Sequence, residues 1–395
     1  MAIMKQIESI IGLLSVLLLL AAVPARGQVS ATFVRQWGGS GSGNGQFHGT
    51  HAVSFSPIFR IYVADEANHR IQYFGMDGVY MGQWGTWGYG TNEIINPVCL
   101  TFQNDGTVYV VERDNNRIHY FTAGGAHLGM WGATGGGAGQ FNKPAAAAFA
   151  PNGDLYVTDR MNHRVEYFSP TGSYRGEFGT FGSGDGQFKE PYGIAVAADG
   201  VVYVTDSQNC RVQYFTTNGV FLGQWGSVGS GDGQFGNNSI YNNGPGHVSI
   251  DRSGLIHVAD PNNNRVQVFQ AHGQFVGKYG SYGTGNGSFY FPNGVACAPG
   301  WQVYVADEGN NLIQQMTCLA GAKTNMHITA ISVTRGIVSV EVEAVPNQTN
   351  GVQRSTNLVG WATVEANFRL SGLFCVTDAV PAEAAAIFLR GIRIP

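Results

Sequence analysis

The sequence predicts an all-β fold, a six-bladed β-propeller of four-stranded blades followed by a small β-sandwich. Three observations predict it. An acidic residue, two variable positions, Asn, one variable position and Arg recur six times, beginning at Asp65, Glu112, Asp159, Asp206, Asp260 and Asp307, at intervals of 47, 47, 47, 54 and 47 residues. An aromatic residue followed by Gly keeps the same phase at Trp37, Trp84, Trp131, Phe178, Trp225 and Tyr279. Between these two markers lies Gly-Gln-Phe, ending at Phe47, Phe141, Phe188 and Phe235. A fixed period of about 40–50 residues with room for four short strands is the pattern of a propeller blade.

The elements follow in chain order. Lys5, an apolar run from Ile10 to Val23 and the small residues around Ala25-Arg26-Gly27 have the layout of a secretory signal peptide over 1–27, cleaved near Gly27. The run is shorter than the ~20 residues that span a bilayer. The chain is therefore expected to be secreted, on the cell surface or in the periplasm, with no membrane span. The propeller is expected over 28–320. Its fourth copy offers strands at Ile194–Ala197, Val201–Thr205, Arg211–Phe215 and Val220–Trp225, with Asp199-Gly200 and Asn218-Gly219 as hairpin turns. Ala31–Trp37 reads as an outer strand without a blade, and the sixth copy ends near Met316 without an outer strand. The N-terminal strand is therefore expected to complete blade six and leave no open edge. In the tail, 323–395, alternation at Ile337–Glu343, Trp361–Val364 and Ile387–Ile394 predicts the small β-sandwich.

Composition narrows the function. Net charge is -4 and charged residues are 12% of the chain, with no basic run, so neither nucleic acid nor an anionic membrane surface is an expected partner. Five cysteines without a Cys-x-x-Cys pair do not make a disulfide framework.

The run Asp-x-x-Asn-x-Arg-Val/Ile-Gln-Tyr-Phe, with Gly186-Gln-Phe-Lys-Glu-Pro-Tyr-Gly-Ile-Ala195 ahead of the fourth copy, resembles the NHL-repeat propellers over roughly 31–318. Glu112 replaces Asp in copy two, which also lacks Gln-Phe, and Leu312 replaces Arg in copy six. Ser355–Trp361 with Phe388–Arg390 is similar to a terminal β-domain of exported bacterial proteins, for which a spacer or attachment role is expected. The resemblance implies two kinds of function, since NHL-like propellers include scaffolds and also enzymes such as peptidylglycine-amide lyases with a histidine-bound zinc in the channel.

Alignment on the acidic residue gives the ring where the innermost strands begin: His51, Val98, Ala145, Tyr192, Gly246 and Asn293. The next ring is Ala52, Cys99, Ala146, Gly193, His247 and Gly294. His51, Tyr192, His247 and Asn293 are the candidate binding residues at the channel mouth. Two histidines fall short of the three protein ligands of a catalytic zinc, and no cofactor is expected for a binding module. The repeated Asp and Arg read as turn chemistry: carboxylate capping the turn, Asn in the left-handed position, Arg bridging to the carboxylate. Gly182–Gly186 has calcium-loop texture but one carboxylate, so a flexible interblade turn is expected. The outer tryptophans are expected between blades, His69 and His163 exposed on turns. The longer interval before blade five places an insertion at 236–244 beside His247, on the same loop face.

The leading expectation is an exported module that binds a protein or a glycan through this loop face. The alternative is a metal-dependent channel enzyme, peptidylglycine-amide-lyase-like or a lactonase-like hydrolase, holding zinc or calcium in the channel.

Overall fold

The computed structural model describes residues 29–237 and 244–319, together with the backbone of strands between 326 and 393. The signal peptide expected over 1–27, most of the 236–244 insertion and the side-chain packing of the expected sandwich lie outside the described residues. Two compact units are present, Val29–Cys318 and a second containing Leu319–Pro395. In the second, strands Met326–Thr334, Ile337–Ala344, Leu373–Ala379 and Asn367–Phe368 form one sheet, and Ala362–Val364, Asn350–Ser355 and Phe388–Arg393 another.

The first unit is a ring of six four-stranded antiparallel sheets. Blade four is typical, with Pro191–Val196 innermost, then Val202–Asp206, Arg211–Phe215 and Phe221–Trp225 outermost. Helical residues are confined, among those described, to short 3-10 turns. Blade six runs Pro292–Ala298, Gln302–Asp307 and Leu312–Leu319, and Ser30–Gly38 pairs with the last of these as its outer strand. The innermost strand of blade one packs against those of blades two and six, so the ring closes.

Each second strand reads as a continuous apolar run because both of its faces are covered. In blade four, Val202, Val204 and Tyr203 are buried between neighbouring sheets. The second-strand tyrosines tie one blade to the next: Tyr62 donates to the Ala123 carbonyl (2.9 Å), Tyr156 to Thr217 (2.9 Å) and Tyr304, across the closure, to Met76 (3.4 Å). The outer aromatic residues also lie between blades. A Cβ on Gly125 would sit 2.5 Å from the Trp84 ring, so only glycine leaves room for that indole.

The turn motif works differently from the sequence expectation in three respects. The carboxylate does not cap the 3-10 turn; it reaches back to the loop before the innermost strand. Asp206 accepts from the Lys189 N–H (2.7 Å), Arg211 Nε (2.7 Å), Asn209 Nδ2 (2.8 Å) and Gln213 Nε2 (3.2 Å). Second, the motif Asn is a donor and not the left-handed residue. The positive φ belongs to the next position, His69, Asn116, His163, Cys210, Asn264 and Asn311, at 51–59°. Those residues are not idle surface either. His69 and His163 are half-buried, and their Nδ1 atoms accept the Asn96 and Glu190 N–H groups of the following blade at 3.2 and 3.1 Å.

Third, the glycine-rich loop is held, not free. Arg211 donates to the carbonyls of Ser183 (2.8 Å), Gly184 (2.9 Å) and Gln187 (2.7 Å), so a guanidinium fills the place that calcium-loop texture suggested for an ion. Arg265 and Arg164 grip their own loops in the same way.

Candidate functional site: the neck of the channel and its charged mouth

The first residues of the innermost strands are aimed by a β-bulge. In blade four Pro191 pairs with Asp206, but the next pair is Ile194 with Val204, and the register slips in the same place in blades one, two, three and six. A bulge leaves a residue out of the ladder and redirects its side chain. Here it turns Tyr192, His51 and Asn293 toward the ring axis. Thr158 Oγ1 donates to the Tyr192 carbonyl (2.7 Å), strapping that bulge to the neighbouring blade. At Gly193 a Cβ would lie 2.7 Å from the Gly246 carbonyl, so the innermost strands of blades four and five touch backbone to backbone.

The structure brings all four sequence-predicted residues together. Tyr192 Oη lies 2.7 Å from His51 Nε2, and Asn293 Nδ2 lies 3.2 Å from that nitrogen and 3.1 Å from the hydroxyl. The His247 ring stands edge-on to His51 at 5.6 Å and beside Tyr192 at 5.4 Å. They are not at the mouth itself. Each is at most 9% exposed, and together they form a neck beneath it.

Hydrogen bonds fix the protons. His51 Nδ1 donates to the Val98 carbonyl (2.9 Å), which leaves Nε2 as an acceptor for the Tyr192 hydroxyl. Burial, helped by the Arg113 and Arg160 charges, pulls His51 down to about 3, so the imidazole is neutral. Burial pushes the Tyr192 phenol well up, and it remains a hydroxyl.

The mouth above the neck is lined by residues that the sequence reading passed over: those directly after the repeated acidic residue, Glu66, Arg113, Arg160, Ser207, Pro261 and Glu308. Four of the six are charged and lie on the adjacent blades six, one, two and three. Arg113 pairs with Glu66 (2.6 Å) and Arg160 with Glu190 (2.5 Å), and the Arg160 guanidinium lies 5.4 Å from the centre of the Tyr192 ring. Glu308 accepts from Asn293 Nδ2 (2.9 Å), which joins mouth to neck. Burial and the nearby Glu66 charge raise Glu308 to about 7. Four of these side chains, Glu66, Arg113, Arg160 and Glu190, keep 14–23% of their surface in solvent, so a ligand can reach them. The signal was available. A variable position inside a repeated motif departs from repeat chemistry, and at 66, 113, 160 and 308 it does so with charge.

The chemistry on offer is an acid–base pair of neutral tyrosine and neutral histidine under two ion pairs. Among the described residues, no group of three or more His, Cys, Asp and Glu side chains is gathered as metal ligands. No described helix is long and apolar enough to cross a membrane.

Comparison with known proteins agrees with the fold. No curated protein matches the chain in sequence. Several solved structures resemble it at low identity. A streptogramin B lyase is 14% identical, with a TM-score of 0.51 over 74% of this chain and 98% of its own. A putative gluconolactonase is 13% identical, with a TM-score of 0.51 over 76% of this chain and 95% of its own. A gluconolactonase from Xanthomonas campestris is 14% identical, with a TM-score of 0.50 over 75% of this chain and 99% of its own. The NHL repeat profile matches residues 141–168 and 188–215, which cover the turn motif and its flanking strands in blades three and four. The same strands and turns recur around the ring, so the chain is a six-bladed β-propeller in which blades three and four match the NHL repeat.

Proposed function

We propose that the chain is an exported binding module that takes a segment of a partner protein at the charged mouth. One observation carries the reading: the position after each repeated acidic residue carries charge on four adjacent blades, and those side chains meet over the neck. Repeat architecture needs no charge there, since Ser207 and Pro261 occupy the same position in blades four and five. Paired Arg and Glu suit a peptide segment carrying both carboxylate and ammonium groups, because each partner ion can be exchanged for one on the ligand. An uncharged glycan offers no ion to exchange for either partner of these pairs. The signal-peptide pattern of 1–27 supports export to a compartment where such a surface meets external partners.

The test is binding of the mature protein to arrayed charged peptides and to arrayed glycans, with an Arg113→Ala/Arg160→Ala variant in parallel. Peptide binding that weakens with salt and drops at least about tenfold in the variant is expected, from loss of two charge-assisted contacts. Glycan binding, or peptide binding that the variant keeps, would overturn the reading.

A second reading, a neck enzyme, is favoured by the 2.7 Å Tyr192–His51 contact under Arg160. The lyase and gluconolactonases of similar fold supply substrates to try. Turnover of a streptogramin B or of gluconolactone, abolished in Tyr192→Phe, would replace the binding reading.

A further inference from the structure

The third strand of blades one to five opens on an arginine that grips the loop ahead of its own blade. In three of these blades an oxygen on the outer strand meets the same guanidinium. Arg70 Nη1 donates to Gln83 Oε1 (2.7 Å), Arg164 Nη1 to Glu177 Oε2 (2.7 Å), and Arg211 Nη1 to Gln224 Oε1. In blade two the residue at this register, on the outer strand His127–Trp131, is Met130, and its Sδ lies 3.2 Å from Arg117 Nη1. A thioether is a weak acceptor. This guanidinium, only 8% exposed, is therefore served less well than its three counterparts.

Arg117 has no less to hold. It donates to Glu112 (2.9 Å) and to the carbonyls of Tyr89 (2.8 Å) and Glu93 (2.8 Å). The loop that it spans presents two aromatic rings to solvent, Trp87 at 62% and Tyr89 at 68% exposed, in edge-on contact at 6.0 Å.

One oxygen atom on the sulfur supplies what the thioether lacks. Met130 is 42% exposed, so oxidants reach it, and oxidation turns a flexible apolar methionine into a polar sulfoxide. That sulfoxide has the shape of glutamine: an S=O dipole in place of the amide C=O, and a methyl in place of the NH2, on a stem of the same length. Its oxygen takes the place that Gln83 and Gln224 give to theirs, and a charge-assisted hydrogen bond replaces a weak one.

We infer that Met130 is an oxidation site: a hydroperoxide converts it to the sulfoxide, whose oxygen accepts from Arg117 Nη1 and tightens the loop that presents Trp87 and Tyr89. In this step a sulfur lone pair attacks the terminal peroxide oxygen and the O–O bond breaks. The displaced oxygen leaves as water or an alcohol, taking the proton of the oxygen that was attacked. Sulfur gives up two electrons and the peroxide takes them. Methionine oxidation ordinarily disrupts packing, so the sign of the effect separates this site from plain damage.

The test is to treat the mature protein with hydrogen peroxide and locate the sulfoxides by peptide mapping. Conversion of Met130 is expected to raise the melting temperature by about 2–4 °C, as a stronger bond to a buried charge would. It should also slow chymotryptic cleavage after Trp87 and Tyr89 at least about threefold, because that loop opens less often. Reductases for both sulfoxide epimers should reverse the two effects. Met130→Gln should show both without peroxide, and Met130→Leu, which has no acceptor, should show neither with it. A Met81→Leu/Met161→Leu background should keep both effects, since it removes two methionines of similar exposure, 46% and 40%, that lie elsewhere. A Met130 that resists peroxide while Met81 is converted, a melting temperature that stays or falls on its oxidation, or the same shift in Met130→Leu would each overturn the inference.

Discussion

Glu166 occupies a position where four other blades carry glutamine: Gln72, Gln213, Gln267 and Gln314. Those amides use both ends. Gln72 Oε1 accepts the Gly45 N–H (2.8 Å), while its Nε2 donates to the Gln46 carbonyl (2.7 Å) and to Asp65 (3.1 Å). Glu166 Oε1 likewise accepts the Gly139 N–H (2.9 Å), but its Oε2 has no partner, since the groups the amide would meet are acceptors. Burial raises its carboxyl from 4.5 to about 7. Between those values the folded chain keeps a proton that the unfolded chain releases, so this group's contribution is full below about 4.5 and is lost as pH rises through about 7. Glu166→Gln should raise stability by ~1–2 kcal/mol at pH 8 and change it little at pH 4, read by denaturant unfolding at both. The same comparison across copies explains what was legible in the candidate site. His51, Tyr192 and Asn293 stood out by alignment because a propeller brings equal positions to one ring. The charged mouth went unread because residues 66, 113, 160 and 308 sit inside a motif whose other members are purely structural.

At the scale of the turn and its loop, the expected bridge from Arg to the carboxylate is present, while the roles of Asp and Asn differ and the loop they hold was not foreseen. Asp, Asn and Arg were expected to serve the turn that contains them, because turn propensities are local. In the structure they serve the loop before the innermost strand, a tertiary contact that the spacing of residues does not disclose. Arg211 spans three loop carbonyls and Asp206 at once, a task for a planar fork of donors. Lysine brings the charge but only three donors on one atom. Arg211→Lys is therefore expected to cost ~2–4 kcal/mol and to speed proteolysis within 182–187, measured by thermal unfolding and limited digestion. Blade six lacks this arginine, and Leu312 stands in its place. There Gln314 donates to the Ser288 carbonyl (2.6 Å) and to Asp307 (2.9 Å) and Asn310 to the Gly283 carbonyl (2.9 Å), so one copy of the loop is held without a guanidinium.

For the whole molecule, the blade count and the closure were both readable, because six copies of the motif and an unpaired strand at each end leave a single consistent ring. The neck of the channel was not readable. It depends on bulges. Closure makes the ring cooperative, as Ser30–Gly38 covers the last open edge of blade six. Removing residues 1–38 should leave that edge exposed, lower the melting temperature and produce dimers or larger species in size-exclusion chromatography. A truncated chain that stays monomeric and equally stable would mean that the seam contributes little.

The seam also has a schedule. Ser40 and its partner Asn311 are 271 residues apart, and the strand just before Ser40 is the first of the propeller to be made. At ordinary rates of synthesis, roughly 5–20 residues per second, that strand waits roughly 15–50 s for the blade it completes. Throughout that interval the growing chain carries an unpaired strand at its head and an unfinished sheet at its tail.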